Sequence, residues 1–580
     1  MGMMRTDWFE KVSKTCPLPE YPRPQFERED WLCLNGEYDY AVTKFYEDDP
    51  AVYEGKILVP FALESELSGV CRRLSPDERL WYKKNFTLNS SFEGKRTILH
   101  FEAVDYKCTV WVNGESCGTH IGGYNPFAFD ITDKLVEGEN ELKIKVYDPT
   151  DYGHQQRGKQ FHKSQGFWYT PTSGIWQTVW LEPVCENRIE KIKILPDIDT
   201  ETVKFEALTL GEGKLSVKIK DGENVVFEGT DLENNTVIPL PGAKLWSPES
   251  PFLYDVELSF GDDKVKSYFG MRKFSIIKDE KGLPRLALNN KPYFQRGLLD
   301  QGYWPESQLT PPTDEAMIFD IAKMKEYGFN MLRKHIKREP MRWYYHCDRL
   351  GMLVWQDMIS GGKPLNLIYA GGLPNINVHV KDNQYKAFNR DKKEWRDEFE
   401  DELFEMIDDL YSVTSICCWV PFNEGWGQFD AKRIGEKIKA VDPSRFVDHA
   451  SGWHDQHGPD FKSVHKYIFP IHLPTAHRTA GRPFVLSEYG GYSWNIVANA
   501  WKPEKSFGYV QFKDCESLST AYEKLHEKQV IPLIEKGLCA TVYTQVSDVE
   551  FEVNGIYTYD RKILKISADT LKKVNGKLKY

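Results

Sequence analysis

Hydrophobic and polar positions alternate with period two along much of the first half of the chain. Leu142, Ile144 and Val146 interleave with Glu141, Lys143 and Lys145, the mark of a strand with one buried face. Val110-Trp111-Val112 runs into Asn113-Gly114, a dipeptide that tolerates the left-handed backbone of a tight hairpin. A proline-punctuated arm (Pro17, Pro19, Pro22, Pro24) precedes these strands and suits neither helix nor inner strand. The pattern predicts a β-sandwich domain over residues 1–185, of the jelly-roll type. Residues 186–277 repeat the alternation at Leu215, Val217 and Ile219, with turn signals at Asp221-Gly222 and Gly261-Asp262. That segment has the size of an immunoglobulin-like β-sandwich, although the Cys…Trp…Cys spacing of that fold is missing.

After Lys278 the grammar changes to strand, loop, helix, repeated. Apolar runs predict strands at 293–299, 330–335, 352–357, 416–422, 446–450, 464–468, 484–488 and 540–545. Helical periodicity predicts helices at 314–327, 340–350, 394–411, 427–441 and 518–534. Near-continuous apolar strands, such as Trp419-Val420-Pro421-Phe422, are those buried on both faces. Eight of them make residues 278–580 a C-terminal (β/α)8 TIM barrel. The fold class is therefore multidomain, β plus α/β.

Barrels of this kind carry chemistry at the C-terminal ends of their strands. Those ends are polar and ionisable here: Asp300 and Gln301, Arg333 and His335, Asp357, Asn423-Glu424, Trp453, His465 and Tyr467, and Glu488. Only strands four and seven end in glutamate, and these face one another across a barrel mouth. Paired carboxyls can cleave a glycosidic bond, one as proton donor and one as nucleophile. Singly, each residue has an ordinary reading: Arg333 a structural ion pair, His335 and His465 satisfied core histidines, Asp357 a cap. Together they favour a site.

Composition narrows the function classes. Lys plus Arg number 75 against 86 Asp plus Glu, a net charge of −11, which argues against a nucleic-acid partner. Eleven cysteines without any CxxC suit reduced thiols, and no apolar run has the length of a membrane span. A cytoplasmic location and no membrane partner are expected. Aromatic residues reach 14%, which fits sugar faces stacking on rings as well as it fits a large β core. Trp168, Trp304, Trp453 and Trp494 are the candidate sugar platforms, with two expected to face the pocket. Gly153 to Lys159 matches most of a P-loop, but Gln160 replaces the required hydroxyl residue and no helix comes after it.

The motifs now meet a family. Trp419-Val420-Pro421-Phe422-Asn423-Glu424-Gly425 resembles the acid/base motif of glycoside hydrolase family 2, the β-galactosidase and β-glucuronidase group. Leu486-Ser487-Glu488-Tyr489-Gly490 resembles its nucleophile motif, and Gly328 to Arg333 its second-strand motif. Ser173-Gly174-Ile175-Trp176 looks like the motif that closes its sugar-binding domain. The resemblance implies Glu424 as acid/base, Glu488 as nucleophile and Asn423 as ligand of the sugar 2-hydroxyl. It further implies that Arg333 positions the nucleophile and that Tyr467 hydrogen-bonds it. Asp300, His335, Asp357, His465, Trp453 and Trp494 complete the expected substrate-binding set.

The implied reaction is double displacement by an exo-acting retaining β-glycosidase on an oligosaccharide or glycoside, without cofactor or metal. The family's glucuronidases carry an Asn-x-Lys motif, whereas Phe551 to Thr558 here lacks that lysine and places Glu552 where an anionic sugar would be repelled. A neutral sugar, galactose first, is therefore expected. Glucuronidase, mannosidase and arabinose-type pentosidase activities are the alternatives, with a catalytically dead carbohydrate-binding barrel more remote. His335 lies two residues after Arg333 instead of three, so the family's metal ligands are not carried over. Family members are often dimers or tetramers, which leaves a homo-oligomer open.

Overall fold

The alternating segments form sheets because each strand has one apolar face to bury. In the strand Glu139–Tyr147, every second residue is buried, including Leu142, Ile144 and Val146. Each such aliphatic side chain contributes about 1.5–3 kcal/mol on burial. The strand sits inside a six-stranded antiparallel sheet, between Glu78–Thr87 and Lys107–Val112. Lys107–Val112 turns into Glu115–Ile121 through Asn113 and Gly114, whose φ angles are 51° and 81°. A four-stranded sheet, in the order Leu32–Cys33, Val179–Val184, Arg96–Phe101, Phe127–Asp130, covers the other side of this core. The computed structural model describes residues 4–47, 49–375, 378–475 and 479–580. The first domain is the expected jelly roll.

The second sandwich pairs a three-stranded sheet (Arg188–Asp197, Thr202–Leu210, Asn235–Pro239) with a four-stranded one (Asn224–Leu232, Leu215–Asp221, Tyr254–Phe260, Asp263–Phe269). Leu215, Val217 and Ile219 meet Val256, Leu258 and Phe260 in its core. The proline-rich arm is tied down by Arg28, which bonds Asp263 of this domain at 2.9 Å and Glu182 of the first at 2.9 Å. Trp246 Nε1 donates to Asp348 O at 2.7 Å, joining the second sandwich to the third domain.

In that domain eight parallel strands form the barrel: β1 Gln295–Asp300, β2 Met331–Lys334, β3 Leu353–Asp357, β4 Ile416–Val420, β5 Phe446–Val447, β6 Lys462–Lys466, β7 Phe484–Gly490 and β8 Leu538–Thr544. The ladder runs in the order β5-β4-β3-β2-β1-β8-β7-β6. Across the remaining seam, Asp460 N donates to Val447 O and Ser463 Oγ to Asp448 Oδ1 at 2.7 Å. β5 is shorter than the expected 446–450; past Val447, Asp448 N still donates to Trp419 O of β4 at 2.9 Å while Asp448 bridges Asp460 at the seam. β6 starts two residues earlier than expected because Lys462 is buried against Asp455 at 3.1 Å, which hydropathy reads as solvent-facing. The expected helix at 427–441 begins only at Ala431. Gly427 and Asp430, with φ of 63° and 42°, hold the preceding residues out of helix. A further helix, Ala568–Asn575, comes after β8.

The jelly roll and barrel share a core. Tyr124, Tyr169 and Trp176 of the first pack in one apolar cluster with barrel residues such as Ile359, Phe399 and Phe422. Gln156 pairs with Gly361, and Arg157 Nη1 donates to Gly362 O at 2.6 Å. This seam fixes the sandwich against the barrel mouth.

Candidate active site

β4 runs out at Val420, and the chain continues beside the loop after β5. Ser451 N donates to Phe422 O at 2.9 Å, and Glu424 N donates to Ser451 O at 3.0 Å. Glu424 itself takes φ = 51°, a left-handed backbone that costs of order 1–3 kcal/mol in a residue with a side chain. Gly425 comes next at φ = 68°, where a Cβ would meet His454 Cδ2 at 2.7 Å. The fold thus holds a strained turn whose effect is to aim one carboxylate inward.

Glu424 Oε1 accepts from His465 Nδ1 at 2.8 Å, while its side chain keeps 26% exposure. Burial raises its carboxyl pKa; the His465 bond opposes that shift and the charge of Glu488 reinforces it. An acid in this setting holds its proton at higher pH than an ordinary glutamate. Glu488, near the end of β7, is held by two donors. Arg333 Nη1 donates to its Oε1 at 3.1 Å, and Tyr467 OH donates to its Oε2. Both contacts fix the orientation of the carboxylate.

Arg333 is fully buried and makes a two-pronged ion pair with Asp357, at 2.9 and 3.0 Å. Burial alone would lower its pKa, but Asp357 and Glu488 raise it overall. Its Nη2 also donates to Asn423 Oδ1 at 3.0 Å, so the Asn423 amide N–H is the group left to meet a hydroxyl. His335 is held well below its usual pKa by burial and by the charges of Lys159 and Arg333. As a neutral ring its Nδ1–H donates to Gln301 Oε1 at 2.9 Å, and its buried Nε2 makes no hydrogen bond among the described residues, with Glu488 Oε1 at 3.5 Å and Asp357 Oδ2 at 3.8 Å. That lone pair suits a substrate hydroxyl.

One cavity joins these groups. Asn423, Glu424, Glu488, His335 and Tyr467 line it, together with Trp426, Tyr509 and Glu552 of the barrel. Lys159, Phe167 and Trp168 reach it from the jelly roll. They ride on a loop whose ends meet in a parallel bridge, Tyr169 N donating to Lys159 O at 2.9 Å and Phe161 N to Tyr169 O at 3.0 Å. Gly158 begins that loop at φ = 61°, where a Cβ would lie 2.9 Å from Ile336 O. Tyr467 stacks on Tyr509 at 3.9 Å, and Trp168 meets Trp426 edge-on at 5.0 Å.

The remaining expected residues fall elsewhere. Asp300 is outside the cavity lining and pairs with Lys334 at 2.7 Å. Asp357 stands behind Arg333, and His465 acts through Glu424 and Ser451. Trp453 lies 6.0 Å from the His465 ring, outside the lining. Trp494 packs on the barrel core, and Trp304 is buried against Trp8. Of the four candidate platforms only Trp168 lines the cavity. Trp426 is the lining tryptophan that was missed, though it comes directly after the Glu424 motif. Lys159 and Tyr509 carried no signal beyond residue type. Glu424, His465 and Glu488 bring ligand atoms within 4.8 Å of one another, the described group that could take a cation. Their existing hydrogen bonds already account for the arrangement. A larger cavity, about 360 Å³, lies around Arg28, His100 and Trp180 and contains none of the strand-end residues.

The fold and the site define a three-domain protein with an opposed pair of glutamates at the mouth of a (β/α)8 barrel. Profiles of the glycosyl hydrolase family 2 galactose-binding-like domain, the family 2 middle domain and the family 2 TIM barrel match residues 54–176, 186–272 and 285–580. The chain belongs to glycoside hydrolase family 2. It is 30% identical over 482 residues to a β-galactosidase of Lactococcus lactis, covering 78% of this chain and 44% of that protein. The chain spans under half the length of the β-galactosidases it matches. A Ruminococcus gnavus β-glucuronidase superposes with TM-score 0.76 at 16% identity, over 96% of this chain and 98% of that one. An Eisenbergiella tayi β-galacturonidase bound to galacturonate gives 0.70 at 18%, over 96% and 99%. Among the described residues, no helix is long and apolar enough to cross a membrane.

Proposed function

We propose that the chain is an exo-acting, retaining β-glycosidase of neutral sugars, with β-galactosides as its first candidate substrates. The observation that carries this reading is the carboxyl pair, whose nearest oxygens lie within 4.8 Å. Retaining enzymes hold their two carboxyls about 5–5.5 Å apart, whereas inverting ones need room for a water between them. Glu488, oriented by Arg333 and Tyr467, attacks the anomeric carbon. Glu424 delivers its proton to the departing oxygen as that bond breaks. In the second half, Glu424 takes a proton from water, which attacks the anomeric carbon and releases Glu488. The Asn423 amide donates to the 2-hydroxyl. The sandwich loop walls one side of the pocket, which favours a single terminal sugar.

A uronide-cleaving enzyme is the second reading, favoured by Lys159 in the cavity wall. Matched p-nitrophenyl β-glycosides, run on wild type beside Glu488→Gln, separate the two. The expected result is release from a neutral β-glycoside, reduced roughly 10⁴-fold or more in the variant. Turnover confined to uronides would replace the first reading with the second. Unchanged turnover in the variant would remove Glu488 from its role.

A further inference from the structure

The far wall of the cavity holds an ion pair that the double-displacement chemistry does not use. Lys159 comes from the jelly roll and Glu552 from the segment after β8; their charged atoms lie 3.7 Å apart, at 12% and 3% side-chain exposure. Glu552 is fixed firmly. Tyr169 OH donates to its Oε2, and Asn554 Nδ2 donates to its Oε1 at 3.0 Å. Asn554 accepts in turn from Gln545 at 2.6 Å, Gln545 from Gln301 at 2.8 Å, and Gln301 from His335 at 2.9 Å. A chain of side-chain amides therefore connects the glutamate to a histidine that also lines the pocket.

Lys159 is held loosely by comparison. Its ammonium lies 3.4 Å from Tyr169 OH and 3.7 Å from Glu552, both longer than a good N–H···O bond. Its other neighbours are the rings of Phe167 and Tyr169, at 6.0 and 5.3 Å. An ammonium carries three donors, so this one has capacity left for a ligand in the cavity it lines. Resting on the neutral-sugar reading above, we propose that Lys159 and Glu552 form the selectivity element of the pocket. The pair grips hydroxyls of a neutral sugar, donor on one side and acceptor on the other. Glu552 also offsets the lysine charge and repels a sugar carboxylate, so Lys159 is a latent uronate site kept closed by its partner.

Removing only the negative charge should open that site. Glu552→Gln keeps Oε1 as the acceptor for Asn554 and turns an amide N–H toward the Tyr169 hydroxyl, whose oxygen can accept it; a melting curve checks that the frame survives. Wild type, Glu552→Gln, Lys159→Met and the double variant would be compared on two matched pairs: β-galactoside with β-galacturonide, and β-glucoside with β-glucuronide. Glu552→Gln is expected to raise the uronide-to-neutral ratio of kcat/KM by roughly tenfold or more, the scale of one charge-assisted hydrogen bond. Lys159→Met is expected to raise KM for the neutral sugar, and to abolish the gain when combined with Glu552→Gln. An unchanged ratio in Glu552→Gln, or a gain that survives Lys159→Met, would overturn the proposal. If wild type cleaves neither member of either pair, the neutral-sugar reading has failed by itself. The selectivity element is then decided by calorimetric titration of galacturonate and glucuronate into Glu488→Gln with and without Glu552→Gln. Tighter binding with the second change supports it, and equal binding overturns it.

Discussion

Arg333 and Lys334 are neighbours on β2, both cationic and both fully buried, yet they belong to different regions of the molecule. Successive side chains of a strand point to opposite faces. Arg333 turns into the barrel mouth and grips Asp357, Glu488 and Asn423. Lys334 turns the other way, bonding Asp300 at 2.7 Å and Glu339 at 2.8 Å over the ring of Trp343. Lys337 joins that second cluster through Glu339 at 2.7 Å. Buried charge alone therefore does not mark a site. The Arg333 network differs because it abuts a cavity and ends in incomplete partners, such as His335 Nε2.

Removing each cation in turn is the strongest test of this contrast. Arg333→Met leaves Asp357 and Glu488 facing one another without a counter-ion. The variant should lose about 3–5 kcal/mol of stability and roughly 10²–10³-fold in kcat/KM, so both readouts fall. Lys334→Met should lose a similar stability, while kcat/KM per folded molecule stays within about threefold. Denaturant melts with active-site titration of the folded fraction would check both. A Lys334 variant that folds normally but does not turn over would erase the distinction.

The two glutamates carry the contrast into pH. Burial raises the Glu424 pKa, and the proposed mechanism requires its proton for the first chemical step. The protonated fraction falls as pH rises through that raised value, so kcat/KM should decline on the alkaline side. Glu424→Gln should lower turnover of poor leaving groups by about 10²–10⁴-fold and remove that alkaline limb. A pH–rate profile that keeps the limb in the variant would assign it to another group.

How much of the molecule was legible depended on whether a residue's role is local in sequence. Period-two alternation exposed the strand Glu139–Tyr147 because its burial alternates residue by residue. The glutamates were legible because strand, turn and acid are contiguous. Asp300 misled because a strand-end acid reads the same whether it meets substrate or Lys334. Lys462 concealed the start of β6 because an ion pair let a charged side chain enter the sheet. Lys159 was hidden most deeply. Its place in the pocket arises from the seam of Gln156, Arg157 and Gly158 with the barrel, contacts between segments far apart in the chain. The one motif it suggested, a P-loop, belongs to a different architecture.

The mildest test separates aromatic residues that were equivalent in sequence. Trp168 lines the cavity on a loop supported by Phe161, Phe167 and Trp426, at 4.6, 5.1 and 5.0 Å, whereas Trp494 packs against the barrel core. An aromatic platform contributes about 0.5–1.5 kcal/mol beyond its buried area, or roughly 2–12-fold in binding. Trp168→Ala should therefore raise KM by that factor with little change in kcat, because the ring meets the sugar before and during reaction alike. Trp168→Phe keeps a ring face and should recover most of the loss. Trp494→Phe should leave KM within about twofold. A fall in kcat for Trp168→Ala that Phe does not restore would mean the indole holds the loop in place, and Lys159 with it, instead of stacking on substrate.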